Sequence, residues 1–251
     1  MKYIVAINQD DLPSFSPFIG RENVFPANTG YKIQQDGHLY YSKSDCYPAR
    51  SVMFITIDPN VKFRRFDKLL SEILYAYRKS GSSGIVLNGC IGQNADGLIS
   101  AIRRNLRTKI FIPSEMSGGA GALKIVSTSI SGGTLGGLLR RYVSMYGNEN
   151  TAVSAELVRS DFELPAFSGT GRELTLSQTQ ELITSHRTPS FYSDELETNY
   201  FNYSSGGKAH IVLFDNGKSL RRKVALAESL GINYCFLSYS ETKDILSKII
   251  V

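Results

Sequence analysis

Short apolar runs of strand length alternate with stretches of helical period along most of this chain. Residues 3–7 form the first run. A second lies within residues 23–34 and leads through an Asp36-Gly37 turn into Leu39, Tyr40 and Tyr41. Residues 51–57 are continuously apolar. The helix expected after them covers residues 63–77, with apolar positions at 66, 69, 70, 73, 74 and 77. Strand at 85–87, helix at 96–106, strands at 109–112 and 124–129, helix at 135–146 and strand at 153–158 follow. Gly147 stands where a left-handed residue would end the helix before it. A helix over residues 177–184, with Ser177 as its N-cap, is the one ordered element expected in residues 165–203. That stretch is rich in Ser, Thr and Gly and otherwise reads as an extended connection. Strands at 211–214 and 234–237, with a helix opened near Ser219 between them, close the series.

Buried strands that do not alternate, spaced by helices, imply a parallel sheet covered on both faces. Eight to nine strands favour a closed (β/α)8 TIM barrel, an α/β fold, over an open sheet. The 251 residues match the size of about 250 usual for one such barrel, and no repeat or linker divides the chain, so residues 1–251 are expected to form a single domain.

Composition adds limits. The chain is 42% hydrophobic and 20% charged, which argues against disorder. The net charge of +5 fits a mildly basic surface, and the pairs Arg64-Arg65, Arg103-Arg104, Arg140-Arg141 and Arg221-Arg222 fall on expected helices. Such pairs read as wet outer faces, which argues against nucleic acid as a partner. Cys46, Cys90 and Cys235 are far apart and odd in number, so neither a disulfide framework nor a metal cluster is expected. The first apolar run is too short for a signal peptide, and no run approaches the ~20 residues of a membrane span, so no membrane association is expected. Trp is absent, which matters for any sugar-binding reading because pyranose faces commonly stack on it; 14 Tyr and 13 Phe are the available substitutes.

Residues 202–238 resemble the closing strand–helix–strand of glycoside hydrolase family 18, in the branch that trims spore cortex peptidoglycan. His210, Val212, Phe214, Asp215, Ser219 and Lys223 fit the family's His-x-Val-Trp-Phe-Glu-Asp strand and the Ser-x-x-x-Lys after it; the family's two Trp positions fall on Leu213 and Ser238. Upstream, residues 161–165 (Asp-Phe-Glu-Leu-Pro) resemble the family's Tyr-Asp-Trp-Pro-Leu-Pro. Leu176-Ser177 matches the Leu-Ser that opens the next helix, residues 200–203 resemble Pro-Phe-Phe-Asn-Tyr, and residues 27–39 resemble the second strand and its Asp-Gly-x-Leu turn. The resemblance implies a chitinase-like barrel whose cleft faces an N-acetylglucosamine-containing glycan or cell-wall polymer. It also implies a spore-associated location; without a signal peptide, the alternative expectation is the cytoplasm.

The catalytic strand departs from the family. Members carry Asp-Gly-Val-Asn-Ile-Asp-Phe-Glu, whose Glu protonates the leaving oxygen while the Asp before it orients an acetamido group that attacks the anomeric carbon, an exception to the two-carboxylate rule. Here residues 83–90 read Ser-Gly-Ile-Val-Leu-Asn-Gly-Cys, placing Cys90 at the acid position and Asn88 at the Asp position. A thiol with a pKa near ~8.5 is a poor acid toward a glycosidic oxygen. The family's acetamido-holding Tyr aligns with residues 126–129 (Val-Ser-Thr-Ser), and the Trp under the sugar is Ser238. No catalytic residue is therefore assigned. The leading expectation is a non-hydrolytic relative that binds a glycan or a protein partner through Tyr31, Asn88, Cys90, Asp161, Phe162 and Ser238, without cofactor or metal. The alternatives are a glycosidase with relocated carboxylates, drawn from Glu115, Glu156, Asp161 and Glu163, or a scaffold with a filled mouth. Cys90 is read as structural, since no His or basic residue lies near it in sequence. His38, His186 and His210 lack ligand spacing, and the glycine-rich residues 129–137 match neither a P-loop nor a dinucleotide fingerprint.

Overall fold

The computed structural model describes residues 1–41, 47–48, 50–61, 66–89, 95–116, 118–166 and 171–250. In chain order the elements are β1 (Lys2–Ile7), α1 (Leu12–Phe15), β2 (Val24–Ile33), β3 (Leu39–Tyr41), β4 (Val52–Ile57), α2 (Asp67–Ser80), β5 (Gly84–Asn88), α3 (Ala95–Asn105), β6 (Lys109–Pro113), β7 (Leu123–Ser127), α4 (Leu135–Tyr146) and β8 (Thr151–Ser154). Then come β9 (Arg159–Glu163), β10 (Arg172–Glu173), α5 (Leu176–His186), β11 (Phe191–Ser193), β12 (Thr198–Ser205), β13 (Lys208–Phe214), α6 (Gly217–Ser229), β14 (Tyr234–Ser238), α7 (Tyr239–Thr242) and α8 (Leu246–Ile249).

Eight strands close into a parallel barrel in the order β1-β2-β4-β5-β6-β7-β8-β14, with β14 returning to β1. β3 is added antiparallel outside β2. Side-chain alternation sorts each strand into two faces. Ile4, Ala27, Val52, Val86, Phe111, Leu123, Ala152, Tyr234 and Phe236 fill the lumen as one cluster. Their neighbours in sequence, such as Ile85 and Leu87, face outward under the helices. Because both faces are buried, the strands read as unbroken apolar runs in the sequence.

The helices cover the barrel through stripes at three- and four-residue spacing: Leu69, Ile73 and Ala76 on α2, Leu98, Ile99 and Ile102 on α3, and Leu220, Val224 and Ala227 on α6. The paired arginines at 103–104, 140–141 and 221–222 lie on the exposed faces of their helices. Gly147 ends α4, but as its C-cap at φ +83 and ψ 153, which is an extended conformation and not the left-handed helical one expected. Cys235 is buried in the outer core, and burial pushes its thiol pKa up to about 12.

Two expectations need correction. Residues 211–214 are not a barrel strand. They belong to β13, inside a five-stranded antiparallel sheet ordered β10-β9-β13-β12-β11. Residues 165–203 are not strand-poor, since β10, β11 and much of β12 lie within them. This sheet lies in the chain between barrel strands β8 and β14. One face packs Leu174, Phe201 and Val212 against Leu182 and Ile183 of α5; the other packs Val158, Phe162 and Leu213. β11 and β12 carry Tyr, Asn, Ser and Thr where barrel strands carry aliphatics, so they lack the apolar signal that residues 211–214 of β13 give. Gly206 and Gly207, both at positive φ, make the turn between β12 and β13. Helix α5 is capped by Thr175 rather than Ser177. The Thr175 hydroxyl accepts from the Gln178 amide, and the Gln178 side chain accepts from the Thr175 amide.

The junction between this sheet and the barrel is a buried charge network. Asp215 follows β13 and is 4% exposed; Lys223 on α6 is fully buried. The Asp215 carboxylate accepts from Lys223 Nζ at 2.6 Å, Ser219 Oγ at 2.8 Å, Thr198 Oγ1 at 2.8 Å and the Val158 amide at 2.9 Å. The Asp215 amide donates back to the Val158 carbonyl at 2.8 Å. Replacing Lys223 by Met would leave a buried carboxylate without its counter-charge. The expected loss is about 3–5 kcal/mol of folding free energy, measured by urea denaturation. A loss below ~1 kcal/mol would show that the pair does not hold the junction.

Candidate functional site at the barrel mouth

The lumen-facing parity of the barrel strands carries forward past their C-terminal ends. On β5, Val86 is followed two residues on by Asn88; on β7, Ile125 by Ser127; on β14, Phe236 by Ser238. These residues line a cavity of about 440 Å³ at that end, with Phe54 and Phe236 in its wall. Loops continuing from β6 and β8 add Glu115 and Glu156, and α7 adds Glu241. Ligand sites in such barrels lie at this end because the strand ends and following loops converge there.

Each carboxylate has a distinct setting. Glu156 Oε2 accepts from Ser127 Oγ at 2.9 Å. Glu115 accepts from Ser114 Oγ at 3.0 Å. Its loop is held by Lys124 of β7, a buried residue whose Nζ donates to the carbonyls of Met116 (2.8 Å) and Gly118 (2.7 Å). Burial lowers the proton affinity of that amine. In the same loop the Gly119 amide donates to Asp96. Gly119 stands at φ +77, a conformation that L side chains rarely adopt, and a Cβ there would press on Ile112 Cδ1. The Glu241 carboxyl is raised above its ordinary pKa, first by burial and then by the charge of Glu156, with Arg159 opposing and Glu173 adding to the rise. Among the described residues no group of three or more His, Cys, Asp or Glu side chains is arranged to hold a metal ion.

Of the residues singled out from the sequence, Asn88 and Ser238 stand in the cavity wall, as do Glu115 and Glu156. Tyr31 does not. It is 5% exposed in the core under α2, 5.4 Å from the Tyr41 ring. Asp161 and Phe162 lie on β9 of the antiparallel sheet. Asp161 is closed in by Arg172 (3.0 Å), Tyr203 Oη (2.8 Å) and His210 Nδ1 (3.0 Å), and Phe162 packs with Val158 and Leu213. Glu163 pairs with Lys208 on the same sheet at 2.5 Å. Sequence order placed these three near a barrel strand end, but β8 stops at Ser154 and the chain then leaves the barrel. Cys90 lies outside the described residues, as does Cys46. His38 pairs with Glu72 at 2.8 Å, and His186 and His210 flank the Tyr203 ring, each centroid 4.5 Å away.

Glu241 was missed by the sequence reading. Its signal is position, three residues beyond the end of the last barrel strand. A second feature is Gly89, directly after β5, at φ +129. A Cβ there would meet the Ile57 carbonyl oxygen at 2.6 Å. The backbone thus turns out of strand geometry immediately after Asn88, through a conformation that L side chains rarely adopt.

A second cavity, about 500 Å³, is lined by Asn8, Asn28, Lys32, Tyr40, Tyr41 and Tyr47, among others. The Tyr47 hydroxyl donates to the Ile7 carbonyl at 2.8 Å, and burial pushes its pKa up to about 12.

No family model matches the chain, and no curated protein matches it in sequence. Solved structures do match its fold. A chitinase from Chromobacterium violaceum superposes with a TM-score of 0.70 at 14% identity, covering 98% of this chain and 97% of that one. The Bacillus cereus spore cortex-lytic enzyme SleL gives 0.69 at 14% identity, covering 100% of this chain and 74% of its own. A family GH18 chitinase from Cycas revoluta in complex with allosamidin gives 0.68 at 13% identity, covering 99% and 97%. The fold is therefore the chitinase-like (β/α)8 barrel shared by GH18 chitinases and SleL-type enzymes. Among the described residues no helix is long and apolar enough to cross a membrane.

Two measurements check this geometry. Gly89→Val is expected to cost about 1–3 kcal/mol in chemical denaturation through backbone strain and the clash with Ile57; an unchanged midpoint would show that the turn is not required. Glu156→Gln should lower the Glu241 pKa toward its ordinary value, read by NMR titration of the side-chain carboxyl. The sign for stability follows. A raised carboxyl favours folding below its unfolded pKa, and that contribution is lost as pH rises through the raised folded value. An unmoved Glu241 titration would show that the two carboxyls do not interact.

Proposed function

We propose that the barrel mouth binds an N-acetylated glycan of the chitin or peptidoglycan type without cleaving it by the acetamido-assisted route. The observation that carries this reading is the open cavity of about 440 Å³ with Asn88 and Ser238 in its wall. An open mouth counts against a filled scaffold, and aromatic side chains there supply apolar contact in a chain without Trp. Asn88 offers both a donor and an acceptor to an acetamido group but no charge to polarise it for attack. The fold likeness to chitinases and a spore cortex-lytic enzyme supports a glycan ligand and is compatible with a spore setting. A protein partner seated on the same mouth is the competing occupant.

The test combines turnover and binding. Purified protein is expected not to cleave chitin oligosaccharides or cortex muropeptides, since loss of a general acid alone typically costs ~10²–10⁴ in rate. Millimolar chitotriose should shift backbone amide signals near Asn88 and Ser238, and Asn88→Leu should remove the shifts. Absence of any shift would remove the glycan reading. A second reading, a glycosidase with relocated carboxylates, draws on Glu156 as a hydrogen-bonded carboxylate facing Glu241 as a carboxyl of raised proton affinity. Robust turnover abolished by Glu156→Gln or Glu241→Gln would establish it instead.

A further inference from the structure

The charge of the mouth opposes the charge of the chain. The protein carries 28 Lys and Arg against 23 Asp and Glu. Yet Glu115, Glu156 and Glu241 line the main cavity, no Lys or Arg is among its described lining residues, and Arg159, outside that lining, is the cation that acts on Glu241. A fully acetylated sugar offers these carboxylates only neutral groups, so covering them would remove hydration without supplying a counter-charge. A protonated amine in place of one acetamide would supply charge-assisted hydrogen bonds.

A separate observation points to a saccharide as the carrier of that amine. The second cavity is lined from β1 and β2, the strands next to β14 and β8 around the barrel. Glu156 follows β8, Glu241 follows β14, Ala6 lies on β1 and Asn28 on β2, and these four strands are consecutive neighbours. Ala6 lines the first cavity and Asn8 the second, about 7 Å apart along the chain at ~3.3 Å per residue. Tyr40, Tyr41 and Tyr47 with Asn8 and Asn28 give the second cavity aromatic surface and amide groups, the chemistry that meets a pyranose ring and its hydroxyls.

We infer that the mouth selects a partly de-N-acetylated aminosugar oligomer, with a free ammonium between Glu156 and Glu241 and the adjoining sugar directed toward the tyrosines of the second cavity. The inference rests on the glycan-binding reading and specifies the substituent on the sugar nitrogen.

The experiment titrates the full chain at mildly acidic pH with four probes: partly de-N-acetylated chitotetraose, fully acetylated chitotetraose, cellotetraose and spermidine. Calorimetry is expected to show the partly de-N-acetylated tetramer binding about tenfold more tightly than the acetylated one, equivalent to ~1.4 kcal/mol. The double variant Glu156→Gln/Glu241→Gln should lose that preference while keeping its thermal unfolding midpoint. If that variant fails to fold, each single variant is titrated in its place. A preference below about threefold, with the acetylated tetramer still bound, would overturn the inference and leave the glycan reading standing. Failure of every saccharide to bind would overturn both. Cellotetraose or spermidine binding as tightly as the amine-bearing tetramer would overturn the inference, because neither carries an amine on a sugar ring.

Discussion

The Asp215 carboxylate is the point through which the two sheets of this molecule are joined. Its four donors come from three segments: the loop after β8, strand β12, and two successive turns of α6. A buried carboxylate is costly unless its lone pairs are occupied and its charge is matched. The network meets both demands and ties the way the chain leaves the barrel to the way it returns. Once Val158 and Asp215 are bonded to each other, the long excursion between β8 and α6 starts and ends at one place. β14 can then close the barrel against β1.

Barrel closure in turn decides which chemistry reaches the mouth. Parity along each strand is inherited from the lumen cluster, so Asn88, Ser127 and Ser238 face inward because Val86, Ile125 and Phe236 do. Carboxylates arrive only on segments that continue from true barrel strands or follow the last one. Glu115 and Glu156 meet that condition, and Glu241 meets it through α7. Asp161 and Glu163 do not, because the chain has already crossed into the antiparallel sheet. There Asp161 serves as the acceptor for Arg172, Tyr203 and His210.

The mouth lies at the C-terminal end of the barrel, and the described end of its fourth barrel strand brings no carboxylate to it. Asn88 is neutral, Ser238 offers no ring, and Gly89 bends the backbone directly after β5. The described acidic side chains of the mouth come from the segments after β6, β8 and β14. Glu156 is fixed by the Ser127 hydroxyl, while Glu241 is destabilised as an anion by burial and by Glu156. An occupant that brings positive charge would relieve that crowding, whereas one that brings none would leave it in place.

The sequence by itself determined the barrel and most of its strand boundaries, because strands buried on both faces are apolar at most positions and that pattern survives without context. It also determined that residues 83–90 carry no carboxylate, since residue identity needs no coordinates. The motif at Asp215, Ser219 and Lys223 was visible too, although only the fold shows that it joins the antiparallel sheet to α6. Tertiary structure alone decided that residues 159–214 leave the barrel. Most of their strands are polar, the one apolar run at residues 211–214 reads like a barrel strand, and their pairing is with partners far away in sequence, such as Phe162 opposite Ile211. It alone decided that Tyr31 and Asp161 are buried away from the mouth while Glu241 reaches it. Those placements depend on which strands close the barrel, and closure is set by pairings between distant segments that no local pattern encodes.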